Sequence, residues 1–342
     1  MLTRQNTLHT WLNSVIGNSP FNLTPLAGDA SFRRYFRMQH DHDTTTYVVM
    51  DAPPGKEGLL AFVQIARSLA EAGVRTPEII AFDLDQGFAL LEDLGDALLF
   101  SRVLNASPEQ AEHDYMLALE CLHKIQTCRT HSPKLGEFDI PAMERELQLF
   151  RSWFLERWLG ITLTNIEENL LNHALSVITD NISHQPQCFM HGDYHSRNLM
   201  LIPSESASPD QLNISVLDFQ DAVRGPFTYD LVSLLKDAYI KWPEATQLQW
   251  VHAFYDKLPD THGWSREEFK QGFDMCGLQR HLKILGIFCR LDLRDGKSSY
   301  LRDLPLTLNY ALDCLKQHEA LRPFYDFMQT RVCPVFEEKI NT

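Results

Sequence analysis

Apolar positions near the start of the chain change their period several times, and each change marks an element. Leu8, Trp11, Leu12, Val15 and Ile16 fall at i, i+3, i+4, i+7 and i+8, which predicts an amphipathic helix. Short β-branched or aromatic runs at 21–27, 32–39 and 45–51 predict strands, punctuated by Gly28-Asp29 and a polar turn at 40–44. In the second run Phe32, Arg34, Phe36 and Met38 face one way, and Arg33, Tyr35, Arg37 and Gln39 the other. Pro53-Pro54-Gly55 breaks the pattern, after which Leu59, Phe62, Val63, Ala66, Leu69 and Ala70 return to helical spacing. Two more strands are predicted at 77–83 and 87–92, ending in Glu92-Asp93-Leu94-Gly95.

From there the pattern is helical. Ser107-Pro108-Glu109-Gln110 forms a capping box with proline at the first helical position, opening a helix to about Thr127. A second helix, 141–159, carries Met143, Leu147, Phe150, Phe154 and Trp158 on one stripe, and a third covers 164–183. Two β-type runs, 198–202 and 214–219, flank a Ser- and Pro-rich hairpin tip at 203–211. Beyond Thr228 the pattern predicts helices broken by prolines and glycines. No internal repeat or low-complexity tract interrupts the order. The expected architecture is α+β with two lobes: a β-rich lobe with its leading helix over 1–95, a short link near Asp93–Asp96, and a mainly helical lobe over 96–342.

Composition narrows the function classes. A chain of 342 residues exceeds what one core usually supports, in keeping with two lobes. The formal charge of −14 argues against a nucleic-acid binder, which would show a basic footprint. It also means that a polyanionic substrate would need a locally positive or metal-bridged site. The seven cysteines form no CxxC pair and most sit among apolar residues, which reads as free thiols in a reducing cytosol. The start of the chain lacks a signal peptide's apolar core, and no run of about 18 apolar residues occurs, so a membrane span is not expected. The expectation is a cytoplasmic protein with no obligate protein partner.

The informative segment is His191-Gly192-Asp193-Tyr194-His195-Ser196-Arg197-Asn198, followed later by Leu217-Asp218-Phe219. Phosphoryl transfer needs a carboxylate beside the acceptor hydroxyl, to orient it and take its proton. It also needs Mg²⁺ on the phosphates, and that hard cation prefers carboxylate and amide oxygens. A loop carrying a base, an amide five residues on, and a carboxylate at the end of the next strand supplies these parts. Protein kinases use an Asp, an Asn five residues later and a following Asp in that order. Asp193, Asn198 and Asp218 reproduce it.

His191-Gly192-Asp193 through Asn198 resembles the catalytic loop of the aminoglycoside and choline kinases, in which Gly replaces the protein-kinase Arg of His-Arg-Asp. Leu217-Asp218-Phe219-Gln220-Asp221, Gly225-Pro226 and Tyr229-Asp230-Leu231 resemble the metal-binding strand and helix start of the same clan. The resemblance implies a protein-kinase-like fold with a small antiparallel sheet in the first lobe, and the cofactors ATP and Mg²⁺. It implies Asp193 as base, Asn198 and Asp218 as magnesium ligands, and Glu92 to Leu94 as a hinge whose backbone meets adenine.

Other readings of these residues stand beside it. His191, Asp193 and His195 could form an H-x-D-x-H metal site, but a zinc hydrolase would need a partner cluster that the chain lacks. His191 reads as structural, tying the loop to backbone or to Asp218. His195 and Arg197 face either the acceptor or solvent, and Asp221 is either a second metal or substrate contact or a turn residue. Asp230, heading an apolar helix, reads as a cap or loop anchor. The nucleotide-loop position holds Gly28-Asp29-Ala30-Ser31-Phe32, with one glycine instead of GxGxxG. The third strand, Tyr47-Val48-Val49-Met50-Asp51, lacks the kinase lysine, and the nearest, Lys56, follows two prolines. Ser31, Phe32 and Arg33 are therefore the phosphate-side candidates, with Arg33 substituting for the lysine and Arg37 as second choice. The competing reading is that both arginines only solvate an exposed sheet face.

Within the clan, Gly28 to Arg37, Met50-Asp51-Ala52-Pro53-Pro54, and Gln279 to Phe288 with Arg290 and Arg294-Asp295-Gly296-Lys297 resemble the anomeric sugar kinases of bacterial cell-wall recycling. The acceptor then expected is a small-molecule sugar, the C1 hydroxyl of N-acetylmuramate or N-acetylglucosamine. Arg290, Arg294 and Lys297 are candidates for a lactyl carboxylate. Trp153, Trp158 and Trp242 are candidates for stacking on the sugar, although helical spacing also suits Trp153 and Trp158 to the core. A kinase for an aminoglycoside, choline or homoserine remains open. So does a silent nucleotide-binding module, motivated by the missing lysine, although such a module needs no base.

Overall fold

A computed structural model describes residues 2–26, 33–40, 44–55, 58–129, 135–204 and 211–341. In chain order the elements begin with α1 (Leu2–Ile16), β1 (Phe21–Pro25), β2 (Arg34–His40), β3 (Thr46–Asp51), α2 (Leu59–Glu71), β4 (Ile79–Asp83) and β5 (Phe88–Glu92). There follow α3 (Leu99–Val103), α4 (Pro108–Thr127), β6 (Gly136–Glu137), α5 (Ile140–Leu149) with a π-helical continuation Phe150–Trp158, and α6 (Asn165–Ser183). Then come β7 (Gln187–Met190), β8 (Leu199–Pro203), β9 (Leu212–Val216), β10 (Val223–Pro226), α7 (Tyr229–Leu235), α8 (Glu244–Asp256), α9 (Arg266–Asp295) and α10 (Leu304–Gln317). Two further helices, Arg322–Phe327 and Cys333–Ile340, complete the chain.

The chain divides into two compact units, one of Met1–Leu117, Cys128–Lys134 and Arg197–Asp221, the other of Ala118–Thr127, Leu135–Ser196 and Ala222–Thr342. The first contains a sheet in the order β1-β2-β3-β5-β4, antiparallel throughout. Its expected first helix forms because Leu8, Trp11 and Leu12 pack on Met38, Val49, Phe88 and Leu90, which alternation places on one sheet face. Asp51, fully buried at the end of β3, ties this layer together by accepting from Arg4 of α1 and Arg34 of β2. The hairpin β8–β9 belongs to the same unit. The Leu201 N–H donates to the Ala97 carbonyl and the Val216 N–H to the Arg75 carbonyl, each at 2.9 Å.

The second unit surrounds α9. That helix starts with a Ser265–Glu268 capping box and ends at Gly296 with φ +66°. It runs unbroken through Gly272, Gly277 and Gly286, where the sequence pattern led us to expect breaks; α5, α6, α7 and α10 pack against it. Gly286 is required by close approach, since a Cβ there would lie 2.3 Å from the Leu149 carbonyl. The predicted stripe Met143, Leu147, Phe150, Phe154 and Trp158 is buried as expected, but its second half is π-helical. The four-residue spacing from Phe150 onward lines up better in that wider turn. A small sheet β6-β10-β7, not foreseen from the pattern, completes this unit. No helix among the described residues is long and apolar enough to cross a membrane.

Candidate active site

The first unit holds the metal-ligand candidates. Asn198 and Asp218 lie just outside β8 and β9, where Leu199 pairs with Val216 and the Leu217 N–H donates to the Asn198 carbonyl at 2.9 Å. Both side chains therefore leave the same end of one hairpin. Asp218 adopts φ +58°, uncommon for a residue with a Cβ, and this left-handed turn ends the strand before Phe219. The expected strand 214–219 thus stops at Val216. The Asp218 Oδ1 accepts from Gln220 Nε2 at 2.7 Å, and the Phe219 ring stacks on Phe62 of α2 with centroids 4.8 Å apart. One amide and one carboxylate oxygen fit Mg²⁺, which usually takes one or two carboxylates and completes its shell with phosphates and water. Among the described residues no group of three or more His, Cys, Asp and Glu could hold a metal, and this donor set does not call for one.

The same unit carries the nucleotide-side candidates. Ser31 and Phe32 lie outside the described residues, as do Gly28 to Ala30 and Lys56. Arg33 directly precedes β2 and is 6% exposed, so it does not merely solvate a sheet face. Arg37 forks onto Asp93, at 2.6 and 3.1 Å, and also reaches Asp96 and the Gly95 carbonyl. Burial alone would raise the Asp93 pKa, but Arg37 and hydrogen bonds from Thr46 and Gly95 hold it below the usual range. Arg37 thus fastens the 93–96 link. Both oxygens of the Glu92 carboxylate accept from Arg75 Nη2, at 2.6 and 2.7 Å, and the Glu92 N–H donates to the Glu78 carbonyl at 2.9 Å. A cleft of about 640 Å³ touches Glu92, Asp93 and Leu94, but its other walls are the end of α2 and the β8–β9 tip.

The second unit holds the base candidate. Asp193 follows Gly192, whose φ of +84° makes the turn. The turn is gripped on both sides. Asp230 of α7, 2% exposed, accepts from the N–H groups of His191 and Gly192 at 2.6 and 2.9 Å. Arg280 of α9 donates to the Gly192 carbonyl at 3.2 Å and to Asp193 Oδ1 at 3.0 Å. His195 Nε2 stands 3.2 Å from Asp193 Oδ2. Burial works against the charge, but His195 and Arg280 overcome it and hold the Asp193 carboxyl well below the usual range. Asp230 is pushed up by burial, despite the N–H groups it accepts from and the nearby His191.

The remaining expectations resolve locally. The His191 Nδ1 accepts the Asp193 N–H at 3.2 Å, the structural role expected, with backbone of its own loop as partner. Asp230 is the expected loop anchor. His195 is buried against Tyr239, with ring centroids 5.5 Å apart, and Arg197 lies over the Phe100 ring at 4.6 Å. Exposed Asp221 accepts from Gln220 at 3.3 Å. Trp158 is core, Trp153 is covered by Arg157, and Trp242 packs on Trp250. Arg294 is exposed and paired with Asp295.

Several residues acquire a place that the sequence reading did not assign. Asp237, fully buried, accepts from the Ser196 N–H at 3.1 Å and from its hydroxyl. Glu146 of α5 accepts from Gln279 and Lys283 of α9, each at 2.8 Å. The available signal was charge inside an apolar helix: Arg280 and Lys283 interrupt a run that otherwise reads as core.

The model of the phosphotransferase enzyme family matches residues 22–267. The N-acetylmuramate/N-acetylglucosamine kinase of Pseudomonas aeruginosa is 39% identical over 320 residues, covering 89% of each chain. The protein of the same name from Neisseria meningitidis serogroup B is 36% identical over 331 residues, 95% of each chain. The structure of a Plasmodium vivax ethanolamine kinase aligns with a TM-score of 0.64 at 11% identity, over 90% of this chain and 87% of that one. That last likeness shows the fold, the expected two-lobed α+β architecture of protein-kinase type.

Proposed function

From the premise that this chain belongs to the phosphotransferase enzyme family, we propose that it phosphorylates the anomeric C1 hydroxyl of N-acetylmuramate and N-acetylglucosamine, using ATP and Mg²⁺. The chain is an ATP-dependent small-molecule kinase, and the reaction fits the recycling of cell-wall sugars. The observation that carries the acceptor is the 39% identity, along 89% of both chains, to a kinase named for those two sugars.

In this reading residues 1–95 serve the nucleotide, and 96–342 serve catalysis and the acceptor. Ser31, Phe32 and Arg33 meet the phosphates, while the backbone of Glu92 and Leu94 meets adenine. Asn198 and Asp218 hold Mg²⁺, which when bound neutralises charge on the phosphates. The acceptor oxygen forms a bond to the γ-phosphorus as the bond to the β,γ-bridging oxygen breaks. ADP departs with that electron pair, and the hydroxyl proton passes to Asp193. An anomeric hydroxyl is more acidic than an ordinary alcohol, so a carboxylate held well below its usual pKa still suffices as the base.

The test is ATP consumption against a panel of N-acetylmuramate, N-acetylglucosamine, choline, homoserine and aminoglycosides, with the product examined by phosphorus NMR and for its reducing end. The expected product is a 1-phosphate without a reducing end. Phosphate on another hydroxyl, or turnover only with choline, homoserine or an aminoglycoside, overturns the assignment. Asp193→Asn should lower kcat by at least about 100-fold while MgATP still binds, and retained turnover would remove Asp193 as the base.

A further inference from the structure

An arginine is costly to bury, and a buried ion pair replaced by apolar groups of similar volume often leaves a protein equally or more stable. Stability is therefore a poor explanation for Arg280, which sits mid-way along α9 and is 4% exposed. Its Cζ lies 5.9 Å from the centre of the Tyr229 ring, and its Nε is buried with no partner among the described residues. Its two terminal nitrogens are directed at one place, the Gly192–Asp193 turn. The Asp193 side chain is 48% exposed. A buried cation is thus aimed at an accessible carboxylate, from a residue 87 positions away in the chain.

We propose that Arg280 is a positioning residue for the phosphoryl transfer, fixing from α9 both the turn that carries Asp193 and the orientation of its carboxylate. The proposal rests on the reading of Asp193 as the base. The planar guanidinium bonds a carbonyl and a carboxylate oxygen at once, which a lysine point charge does not reproduce. Asp230 fixes the N–H groups of His191 and Gly192, while the next peptide has its carbonyl held by Arg280 and its N–H by His191 Nδ1, so the peptide plane before Asp193 cannot rotate without losing a bond. Oδ1 faces Arg280 and Oδ2 faces His195, which sets the carboxylate plane.

The chemistry suits such a clamp. A neighbouring cation weakens a carboxylate as a base, which would be a handicap if base strength set the rate. Phosphoryl transfer through a loose transition state depends chiefly on positioning and charge, and proper orientation is worth orders of magnitude in rate.

The experiment compares the full-length protein with Arg280→Met, Arg280→Lys and Asp193→Asn, measuring kcat, both KM values and ADP-binding stoichiometry. Arg280→Met should lower kcat about 100-fold, with both KM values within about threefold of the parent and full ADP stoichiometry. Arg280→Lys should recover part of the loss. A kcat for Arg280→Met within about threefold of the parent overturns the proposal. So does a loss that follows the ADP-binding fraction, which would make Arg280 a residue of the fold alone. If Asp193→Asn keeps its turnover, the reading of the base fails whatever Arg280 does. If Asp193→Asn is inactive and Arg280→Met is not, only the positioning role falls.

Discussion

Arg33, Asp193 and Asp218 show what a single side chain can and cannot reveal before the chain is folded. The candidate base and metal-ligand positions stand out because phosphoryl transfer restricts residue type and spacing together. The phosphate clamp does not, because a cation can reach the same phosphates from several strands. Arg37 illustrates the difference, since it lies on the strand that the clamp candidate directly precedes, yet it is committed to Asp93 and Asp96. Arg33 is buried and next to that strand, and it carries a prediction. Arg33→Ala should raise the Kd for MgATP roughly tenfold, the scale of one charge-assisted hydrogen bond in a partly dry site, as measured by calorimetry. An unchanged Kd would leave the missing third-strand lysine without a substitute.

At the scale of elements, the predicted strands and helices before residue 128 follow their patterns closely, because each carries one apolar face whose period is written in its own residues. The Ser107 box forms as expected, with Ser107 and Gln110 exchanging backbone N–H bonds. Later elements depart from pattern where distant segments decide. Glycines at 272, 277 and 286 read as breaks, yet α9 uses them as low points for neighbours: at Gly286 for the Leu149–Phe150 peptide, at Gly277 for Val232. Gly286→Ala should therefore destabilise the protein even though alanine favours helix, by about 1–3 kcal/mol for overpacking against a backbone that cannot retreat. Urea denaturation measures it, and an equal or raised midpoint would show that the contact yields.

For the molecule as a whole, charge matters through its location more than its sum. The net −14 conceals an interior carboxylate, Asp274, 3% exposed, which meets Lys236, Lys270 and His318. Burial opposes its ionisation, but these partners bring its pKa down to about 2. A folded-state pKa below the unfolded value gives stability that is present above about pH 4 and lost as pH falls through about 2. Asp274→Asn should cost about 2 kcal/mol at pH 7, and the difference from the parent should shrink between pH 4 and 2. Acid-unfolding curves of the two proteins test this, and a constant gap would discount the ion pairs.

The chain by itself determined the α+β class and most elements of the first unit, and it singled out Asp193, Asn198 and Asp218 as candidates, because period, capping and chemical necessity act over short stretches. Tertiary structure alone decided which charges stand beside Asp193. Nothing local to Arg280 links it to Asp193, and only the packing of α9 brings the two to 3.0 Å. The same holds for Asp237 beneath Ser196 and for Gly286 beneath Leu149. Such contacts join residues far apart in the chain, and no local spacing rule records them.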